Sequence, residues 1–443
     1  MALRSEWQCY IWWLMQRNNM NMLIKNGRVV DPANKRDSIF DVLIKDGLIS
    51  KIDKSINAKT KNTINAKNKI VMPGIIDMHV HLREPGREDI ETVSSGTYAA
   101  VCSGVTSVCS MPNTTPAIDD VAHLNMLQAV IKKDAKSNVF PAAAITEARR
   151  GCKIVDIKAL KKRGAVAFSD DGSGVHNESV MLNALTKMKT NNTVMISHCE
   201  DTAISKKGVI NAGAVATKLG LRGIPRKAEY SFVERDIMLA KKAKAKVHIA
   251  HVSCRESVDI IRKAKKQGVN VTAETAPHYF SLTDDCCVTY DTRTKMNPPL
   301  RSQEDVDAIK KGLSDGTIDV IASDHAPHGK HEKEIEFENA AFGIIGVETL
   351  LSLSITELVA KGVMKWPELV RKISLNPSTI LNLGRGALAK GMPADITIID
   401  PAAEWVYKKE DIKSKSKNSP FIDRHFKGRA ICTIINGSIA WKL

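Results

Sequence analysis

The sequence predicts an α/β fold: a (β/α)8 barrel with a small β-sandwich domain formed from both chain ends. Eight strand-like apolar runs alternate with amphipathic helical patterns in the middle of the chain, which is the pattern of a parallel barrel. Short strands joined by turns of a polar residue and glycine occur near both ends. The length of 443 residues accommodates both parts, because a barrel alone typically takes about 250 residues.

The β-sandwich domain is expected to consist of residues 22–72 and 386–443. The first segment contains two strand–turn–strand patterns, with turns on Asn-Gly and Asp-Gly. The second contains apolar runs of the same character at 395–400 and 431–437. One domain assembled from both chain ends explains why similar strand patterns lie on either side of a central region with alternating strands and helices.

Residues 1–21 differ from the rest of the chain and are expected to be an unstructured N-terminal extension. They contain three of the six tryptophans and precede the first strand pattern. A secretory signal peptide is not predicted, because a clean apolar core and a small-residue cleavage site are both missing. Met20 or Met22 is the expected natural start.

Residues 73–385 are expected to form the barrel, of the TIM type. The clearest helical periodicity lies at 227–243 and 254–266, with isoleucine and valine at three-to-four spacing and lysine outside. A doubly wound open sheet would place a glycine-rich phosphate loop after its first strand, and the sequence has none there. The eight expected strands are 74–81, 104–112, 137–145, 164–170, 193–199, 246–252, 268–275 and 318–324.

Composition excludes several classes of protein. Hydrophobic residues make up 43% and charged residues 26%, as in a packed globular protein. The net charge of +16 comes without a nucleic-acid-binding motif, so we interpret it as surface lysine, dense at 241–246 and 408–417. No uncharged apolar stretch reaches the roughly 18 residues of a membrane span. Nine cysteines without a C-x-x-C pair indicate reduced thiols, and we expect a cytoplasmic protein that binds neither nucleic acid nor membrane.

Histidine and aspartate collect where the expected barrel strands end. Catalytic groups of such barrels stand at the carboxyl ends of the strands. His79 and His81 are two residues apart at the first strand end, so they project from the same face. The ends of the fourth, fifth, sixth and eighth strands carry, in that order, Asp170 and Asp171, His198, His251, and Asp324.

These residue types favour a metal-dependent hydrolase. Imidazole and carboxylate ligands without thiolates suit Zn²⁺ or a neighbouring divalent ion in an open catalytic site. Such an ion polarises a carbonyl group and lowers the pKa of bound water to about 7, which favours hydrolysis of an amide. Asp324 is suited to take a proton from the water and deliver it to the leaving nitrogen.

Five motifs hold these residues and their neighbours: His79-Val-His81-Leu-Arg83-Glu-Pro-Gly86, Met111-Pro-Asn113, Phe168-Ser-Asp-Asp-Gly172, Met296-Asn297-Pro-Pro-Leu-Arg301 and Asp324-His-Ala-Pro-His328. In this order they resemble the dihydroorotases of the amidohydrolase superfamily. The longer bacterial type is the most similar, since it uses an aspartate where relatives carry a carboxylated lysine. The resemblance covers about residues 22–443. It implies reversible cyclisation of N-carbamoyl-L-aspartate to (S)-dihydroorotate, the third step of pyrimidine synthesis.

The resemblance also implies one or two Zn²⁺ ions in each subunit, with two favoured. Asp171 would bridge the two ions, and the adjacent Asp170 stays open as an alternative bridge. Asp324 would be both a ligand and the catalytic proton shuttle. The histidine ligands would be His79 and His81 for one ion, and His198 and His251 for the other.

A site for the substrate carboxylate is implied at Arg83, Asn113 and His328. A guanidinium gives a planar two-point grip on a carboxylate, and neutral donors complete it. Contacts to the ring amide groups are implied for Asn297 and for backbone atoms further along the chain. The complete set of implied substrate-binding residues is His81, Arg83, Asn113, Asn297, His328, Phe342 and Gly343.

Two other functions stay open. A related cyclic amidase (a hydantoinase, dihydropyrimidinase or allantoinase) would carry a lysine at the fourth strand end and would lack the full carboxylate grip. A non-catalytic dihydroorotase-like subunit of aspartate transcarbamoylase would have lost metal ligands, whereas all six positions are filled here. The partners implied are the small-molecule substrate, a second copy in a homodimer, and aspartate transcarbamoylase.

Four neighbouring features have more ordinary interpretations. His248 is expected to face away from the site, and His325 to support Asp324. His278, near the end of the seventh strand, is open to lining the pocket. Residues 329–341 are expected to be either a mobile loop over the site or an ordinary solvated loop.

Overall fold

The structure, a computed structural model, describes residues 21–443. The extension predicted at 1–21 lies outside the described residues apart from Asn21. The described chain contains two eight-stranded sheets and one two-stranded sheet. The strands are β1 (Met22–Asp31), β2 (Arg36–Lys45), β3 (Leu48–Asp53), β4 (Asn62–Asn65), β5 (Ile70–Pro73), β6 (Ile75–Val80), β7 (Val105–Ser110), β8 (Asn138–Ala143), β9 (Ala167–Phe168), β10 (Met195–Ser197), β11 (Ile210–Asn211), β12 (Gly223–Ile224), β13 (Val247–Ile249), β14 (Val271–Thr275), β15 (Val320–Ile321), β16 (Ile396–Val406), β17 (His425–Ile435) and β18 (Ser438–Lys442).

One eight-stranded sheet is the predicted barrel. Its strands follow the order β6-β7-β8-β9-β10-β13-β14-β15, and neighbouring strands are parallel. A parallel bridge between Val80 and His325 joins the two edges, and the His81 N–H donates to the His325 carbonyl oxygen over 2.9 Å. Each of the eight runs expected from the sequence contains one of these strands, so the barrel is confirmed.

Helices connect the barrel strands, and the two clearest helical patterns are confirmed. The helix Lys227–Ala243 has the bounds expected from the sequence, and the helix Arg255–Lys266 begins one residue later than expected. The second helix buries Val258, Ile261 and Ala264, as its three-to-four spacing predicts.

The complete helices are α1 (Val93–Cys102), α2 (Val121–Asp134), α3 (Ile157–Lys162), α4 (Glu178–Thr190), α5 (Thr202–Ser205), α6 (Ala214–Leu219), α7 (Lys227–Ala243), α8 (Arg255–Lys266), α9 (Gln303–Ser314), α10 (Lys330–Lys333), α11 (Leu350–Ser354), α12 (Trp366–Val370) and α13 (Asn376–Leu381). Two π-helical turns, Ile355–Val359 and Arg371–Leu375, follow α11 and α12. Short 3-10 turns are Pro32–Asn34, Glu147–Arg149, Pro277–Phe280, Asp284–Cys287, Thr292–Thr294 and Lys409–Asp411.

The other eight-stranded sheet joins both chain ends, as expected. Its strands follow the order β18-β17-β16-β5-β1-β2-β3, and β4 pairs with β1 outside this path. β5 connects the two ends because it pairs in parallel with β1 and antiparallel with β16. Apolar side chains from both ends, such as Ile24 and Ile398, bury one another. The domain limits themselves, 22–72, 73–385 and 386–443, stay a prediction.

Residues 21–443 contain no candidate membrane helix and no disulfide bond. No helix in this range is long and apolar enough to cross a membrane. All eight cysteines in this range are free thiols, as the cysteine spacing predicts, and Cys9 lies outside it. A disulfide framework is therefore absent from the described part of the chain.

The small domain packs against the barrel at Gly104, the residue before β7. The Thr397 hydroxyl donates a hydrogen bond to the Gly104 carbonyl oxygen over 2.6 Å. A methyl group at Gly104 would lie 2.7 Å from Thr397 Cγ2 and 3.0 Å from Ala430 Cβ. The contact between the two sheets therefore leaves no room for a side chain at this position.

Replacing Gly104 with alanine is expected to lower the midpoint of thermal unfolding more than replacing Gly268 does. Both glycines have a positive φ, +89° and +73°, so both substitutions strain the backbone by about 1–2 kcal/mol. Only at Gly104 does the new methyl also collide with packed side chains, since nothing lies within 4 Å of it at Gly268. Such overpacking adds about 1–3 kcal/mol. Scanning calorimetry measures the difference, and equal midpoints would contradict the tight contact.

Candidate active site

Six buried side chains from five strand ends meet at one rim of the barrel. β6 carries His79 and is followed at once by His81, while Asp171 follows β9 and Asp324 follows β15. Parallel strands bring all their carboxyl ends to the same rim, so residues far apart in sequence become neighbours. The six residues are His79, His81, Asp171, His198, His251 and Asp324.

The Asp171 carboxylate is the centre of this histidine–aspartate cluster. Its Oδ1 lies 3.4 Å from His79 Nε2 and 3.5 Å from both His198 Nδ1 and His251 Nε2. Its Oδ2 lies 3.5 Å from His81 Nε2. Four imidazole nitrogens thus face one carboxylate, and those of His198 and His251 are only 2.9 Å apart.

The Asp324 carboxylate lies on the side of the cluster formed by His79 and His81. Its Oδ1 is 3.6 Å from His79 Nε2 and 3.4 Å from His81 Nε2. Asp324 and His251 have positive φ values of 49° and 36°, a conformation that costs residues other than glycine about 1–3 kcal/mol. Strain of this kind is typical of functional sites, and here it directs a carboxylate and an imidazole into the cluster.

Asp170, the alternative to Asp171 in the sequence, has its oxygens engaged elsewhere. Its Oδ1 accepts hydrogen bonds from the Ile145 and Thr146 N–H groups over 2.8 and 3.1 Å, and its Oδ2 accepts from the Thr146 hydroxyl. Burial raises the pKa of Asp170, and these donors offset only part of the shift. Burial acts on Asp171 too, but the imidazoles, His79 foremost, hold the pKa of that carboxyl well below its usual range.

The cluster has the donor atoms for divalent metal ions. His79, His81 and Asp171 place nitrogen and oxygen atoms within 4.8 Å of one another, and so do Asp171, His198 and His251. His79 Nε2 and Asp171 Oδ1 are buried without a hydrogen-bond partner among residues 21–443. Unpaired buried polar atoms cost free energy, and a cation between them removes that cost.

A carboxylate missed by the sequence interpretation orients His79. His79 Nδ1 lies 2.5 Å from one oxygen of Glu274, and His248 Nε2 lies 3.2 Å from the other. His248 in turn contacts the Thr272 hydroxyl over 2.8 Å, so it supports Glu274 from outside the cluster. The signal available in the sequence was a glutamate inside the apolar run 268–275, because a buried strand position holds a carboxylate only where partners satisfy it.

Arg83 and His328 lie together near the cluster, and both cluster aspartates act electrostatically on the Arg83 guanidinium. Arg83 Nη2 is 3.4 Å from His328 Nε2. His328 also contacts the Phe342 carbonyl oxygen and the Glu332 carboxylate, over 2.7 and 3.2 Å. Burial lowers the pKa of Arg83 to about 10 and that of His328 to about 4. At neutral pH the pair therefore offers one positive charge and one neutral ring.

Two asparagines of the implied substrate site are connected to cluster histidines, Asn113 directly and Asn297 through a carboxylate. Asn113 Oδ1 lies 2.7 Å from His81 Nδ1. Asn297 Nδ2 donates to Glu200 Oε2 over 2.8 Å, and this carboxylate lies 3.2 Å from His198 Nε2. Glu200, which the sequence interpretation did not place in the site, thus links Asn297 to the cluster.

The backbone groups of Gly343 are already hydrogen-bonded within the protein. Its N–H donates to the Lys295 carbonyl oxygen over 3.0 Å. Its carbonyl oxygen accepts from Lys333 Nζ and Asn418 Nδ2, each over 3.1 Å. A substrate amide that contacts Gly343 must therefore displace one of these partners.

Two lysines tie residues 329–341 to the barrel face. Lys333 Nζ donates to the carbonyl oxygens of Lys295 and Gly343, both outside the loop, over 3.2 and 3.1 Å. Lys295 Nζ donates to two loop carbonyl oxygens over 2.8 and 2.9 Å. Burial lowers the pKa of Lys333 to about 7 and that of Lys295 to about 8. The loop is thus anchored at two points, through the Lys333 side chain and through two of its own carbonyl oxygens.

Two histidines that the sequence left outside the ligand set are fully buried. His325 Nδ1 accepts from the Gly346 N–H over 3.1 Å, and its Nε2 lies 3.5 Å from Glu91. His278 Nε2 has no hydrogen-bond partner in the described chain, and burial lowers the pKa of this ring to about 4. His325 therefore braces the strand end that carries Asp324, and His278 is a neutral ring.

Arg149 is a third residue that the sequence interpretation missed. Its Nη1 donates to the Asp171 carbonyl oxygen over 2.6 Å, so it restrains the backbone of the central aspartate. Ala148 and Arg149 have positive φ values of 49° and 56°. The sequence offered no signal for this contact, because an arginine in a polar loop resembles ordinary surface charge.

Comparison with known proteins identifies the family. The family model described as Dihydro-orotase-like matches residues 68–257. The dihydroorotase of Elusimicrobium minutum is 50% identical over 420 residues, which cover 95% of this chain and 97% of that protein. The dihydroorotase of Trichlorobacter lovleyi is 49% identical over 423 residues, which cover 95% of this chain and 99% of that protein.

Solved structures share the fold at lower sequence identity. The L-hydantoinase (dihydropyrimidinase) from Arthrobacter aurescens has a TM-score of 0.86 and 23% identity, with 95% of each chain covered. A D-hydantoinase has a TM-score of 0.84 and 23% identity over the same shares. At such identities the likeness concerns the fold alone, whereas the relatives above are similar in sequence over nearly their full length. The chain therefore belongs to the dihydroorotase family.

Proposed function

We propose that the protein is a dihydroorotase, which interconverts N-carbamoyl-L-aspartate and (S)-dihydroorotate in pyrimidine (UMP) synthesis. The observation that carries the proposal is the pairing of two sites at one barrel rim. The cluster offers metal ligands, and Arg83 beside it offers a guanidinium to a carboxylate. Dihydroorotate has a carboxylate attached to a cyclic amide, so it carries one group for each of the two sites. Relatives of about half identity bear the name dihydroorotase.

Two zinc ions are the metal complement we assign to the cluster. His79 and His81 would hold one ion, and His198 and His251 the other. Asp171 would bridge them, since its Oδ2 faces His81 and its Oδ1 faces the other three imidazoles. Nitrogen and oxygen ligands without thiolates suit Zn²⁺. Bound zinc would polarise the amide carbonyl and lower the pKa of a water molecule.

Asp324 is assigned the proton transfer. Burial raises the pKa of its carboxyl, but His81 and His79 lower it by more, so the group is a carboxylate at neutral pH. In hydrolysis it accepts a proton from the attacking water and donates it to the ring nitrogen that leaves the carbonyl carbon. In the synthetic direction the same proton moves the opposite way, from the ureido nitrogen to the departing water.

The substrate carboxylate is assigned to Arg83, with Asn113 and His328 as neutral partners. Holding this carboxylate fixes the amide relative to Asp324 and the cluster, and such orientation lowers the barrier by removing unproductive poses. His81 would contact the substrate as well as the metal. The ring amide groups are assigned to Asn297, Phe342 and Gly343.

The two competing functions fit the site less well. A hydantoinase or related cyclic amidase acts on a ring without the carboxylate, so the Arg83 guanidinium would have no substrate carboxylate to bind. Such enzymes also carry a lysine at the end of the fourth strand, where this chain has Asp171. A non-catalytic subunit has no need of a complete ligand set, whereas all six proposed ligands are present and buried here.

The proposal also covers the cellular compartment of the protein and its assembly with other chains. The cytoplasm is the proposed location, in keeping with free thiols at all eight described cysteines. A homodimer and a complex with aspartate transcarbamoylase are the assembly hypotheses that the resemblance supplies. Light scattering of the protein alone and mixed with that enzyme tests both, and the mass of a single chain in each sample would contradict both.

Substrate preference is the direct test of the function. We expect kcat/KM for dihydroorotate to exceed that for dihydrouracil at least about a hundredfold, because the two rings differ by the carboxylate that Arg83 would bind. Chelator treatment should abolish turnover, and added zinc should restore it. Preference for dihydrouracil or hydantoin would favour a related cyclic amidase, and a zinc-free, inactive protein would favour the non-catalytic subunit.

The neighbouring aspartates provide a matched pair of variants. Asp171→Ala is expected to lose bound zinc and to lower kcat at least roughly a hundredfold, as expected when support of a metal is removed. Asp170→Ala should retain zinc and mainly lower the thermal midpoint, since Asp170 bonds the Ile145–Thr146 backbone. Metal analysis and steady-state kinetics distinguish them. Full zinc content and activity in Asp171→Ala would refute the bridging assignment.

Glu274→Gln is expected to weaken zinc affinity roughly 10- to 100-fold, because the charge that orients and polarises His79 is lost. The matched control is Glu357→Gln, which neutralises another buried glutamate that pairs with Lys361 and Arg424 far from the cluster. Competition with a chelating dye measures both affinities. Equal affinities in the two variants would show that Glu274 does not support the metal.

A further inference from the structure

The lysine-rich run 408–417 overlaps a segment, residues 412–418, whose side chains follow an unexpected pattern of burial. From residue 412 to residue 418, exposed and buried positions alternate strictly, with the three lysines outside. This is the period of an extended chain that buries one face, although the segment pairs with no strand in the described sheets. The inward residues are Ile412, Ser414, Ser416 and Asn418.

Two carboxylates of the barrel domain hold this segment in place. Glu348 accepts hydrogen bonds from the Lys413 and Ser414 N–H groups, each over 3.0 Å. The Ser414 hydroxyl donates to the fully buried Glu91. The Ser416 hydroxyl donates to a neighbouring backbone carbonyl oxygen over 2.9 Å. The segment is therefore attached to the barrel through its polar inner face.

Asn418, the last inward residue, is only 5% exposed. Its Nδ2 donates to the carbonyl oxygens of Ala326 and Gly343, each over 3.1 Å. Its Oδ1 accepts from the His328 N–H over 3.2 Å, and its own carbonyl oxygen accepts from the Ile345 N–H over 3.1 Å. One buried residue of the C-terminal segment thus connects the loop that carries His328 to the loop that carries Gly343.

We propose that Asn418 is a positioning residue for the substrate carboxylate, acting through His328 and Arg83. The inference rests on the proposed function, because that function assigns the carboxylate to these two residues. His328 Nε2 lies 3.4 Å from Arg83 Nη2, so a shift of the His328 backbone also moves a neighbour of the guanidinium. Misplacement by about 1 Å of a group in a binding site costs up to about 100-fold. The small domain then takes part in substrate recognition.

Asn418→Asp is the most informative variant because it preserves the shape of the side chain. An aspartate still accepts from the His328 N–H, but it has no donor for the two carbonyl oxygens that Asn418 bonds. We expect Asn418→Asp and Asn418→Ala to raise the KM for dihydroorotate roughly 10- to 100-fold, with kcat and zinc content nearly unchanged. Asn376→Ala is the matched control, since Asn376 Nδ2 also donates to a backbone carbonyl oxygen, that of Asp319, over 2.7 Å.

The control separates positioning from stability. Asp319 precedes β15 and so lies at the opposite rim, where a lost amide bond lowers the thermal midpoint without changing KM. Unchanged KM in both Asn418 variants would overturn the proposal. So would a rise in KM that Asn376→Ala reproduces, or a fall in kcat that tracks zinc loss.

Amide hydrogen exchange provides a readout that does not depend on turnover. Exchange at 326–330 and 343–346 is expected to be faster in Asn418→Ala than in the wild type and in Asn376→Ala. Unchanged exchange there would also overturn the proposal. If the wild-type protein fails to hydrolyse dihydroorotate, the proposed function fails, and the exchange result still decides whether Asn418 holds the two loops together.

Discussion

The contact of one carboxylate with four imidazole nitrogens, Asp171 with its histidines at 3.4 to 3.5 Å, is the constraint on which the active site depends. β9 is only two residues long, and the chain leaves it with Asp170 and Asp171 in succession. Because Asp170 is bonded to the loop after β8, the next side chain is directed into the barrel mouth. A shift of one residue that brought Gly172 to this position would leave the four histidines without a carboxylate between them.

Three of the four imidazoles are held from behind, and this decides which nitrogen of those rings faces the centre, whereas His251 Nδ1 has no hydrogen-bond partner in the described chain. His79 Nδ1 faces Glu274 and His81 Nδ1 faces Asn113, so both present Nε2 to the carboxylates. His198 presents Nδ1, because its Nε2 faces a carboxylate outside the cluster, that of Glu200. A bond to the far nitrogen selects the tautomer whose near nitrogen has a free lone pair. The supporting residues are thus as much a part of a metal site as the rings themselves.

The sequence was sufficient for the barrel and for the cluster, since one rule places catalytic groups at strand ends and the strands were visible as apolar runs. The supporting residues escaped because their contacts are long-range: Glu274 is 195 positions from His79. The contact that Arg149 makes depends on two successive residues with positive φ, and nothing in the sequence of a polar loop predicts that conformation. The alternation of lysine with serine and asparagine in residues 412–418 is a sequence signal for a segment that buries one face. The high density of lysine instead favoured the interpretation of a solvated surface.

The two parts of the proposed active site depend on different parts of the fold. The histidine–aspartate cluster and Glu274 stand on the barrel strands or immediately after them, so their geometry follows from the closure of the barrel alone. His328 lies beyond the last strand, in a loop whose backbone is bonded by Asn418 of the C-terminal segment. Its position therefore depends on how the small domain is attached. Under the proposed assignments, substitutions that loosen this attachment are expected to weaken substrate binding before they disturb the metal ligands, because none of the proposed ligands belongs to residues 412–418.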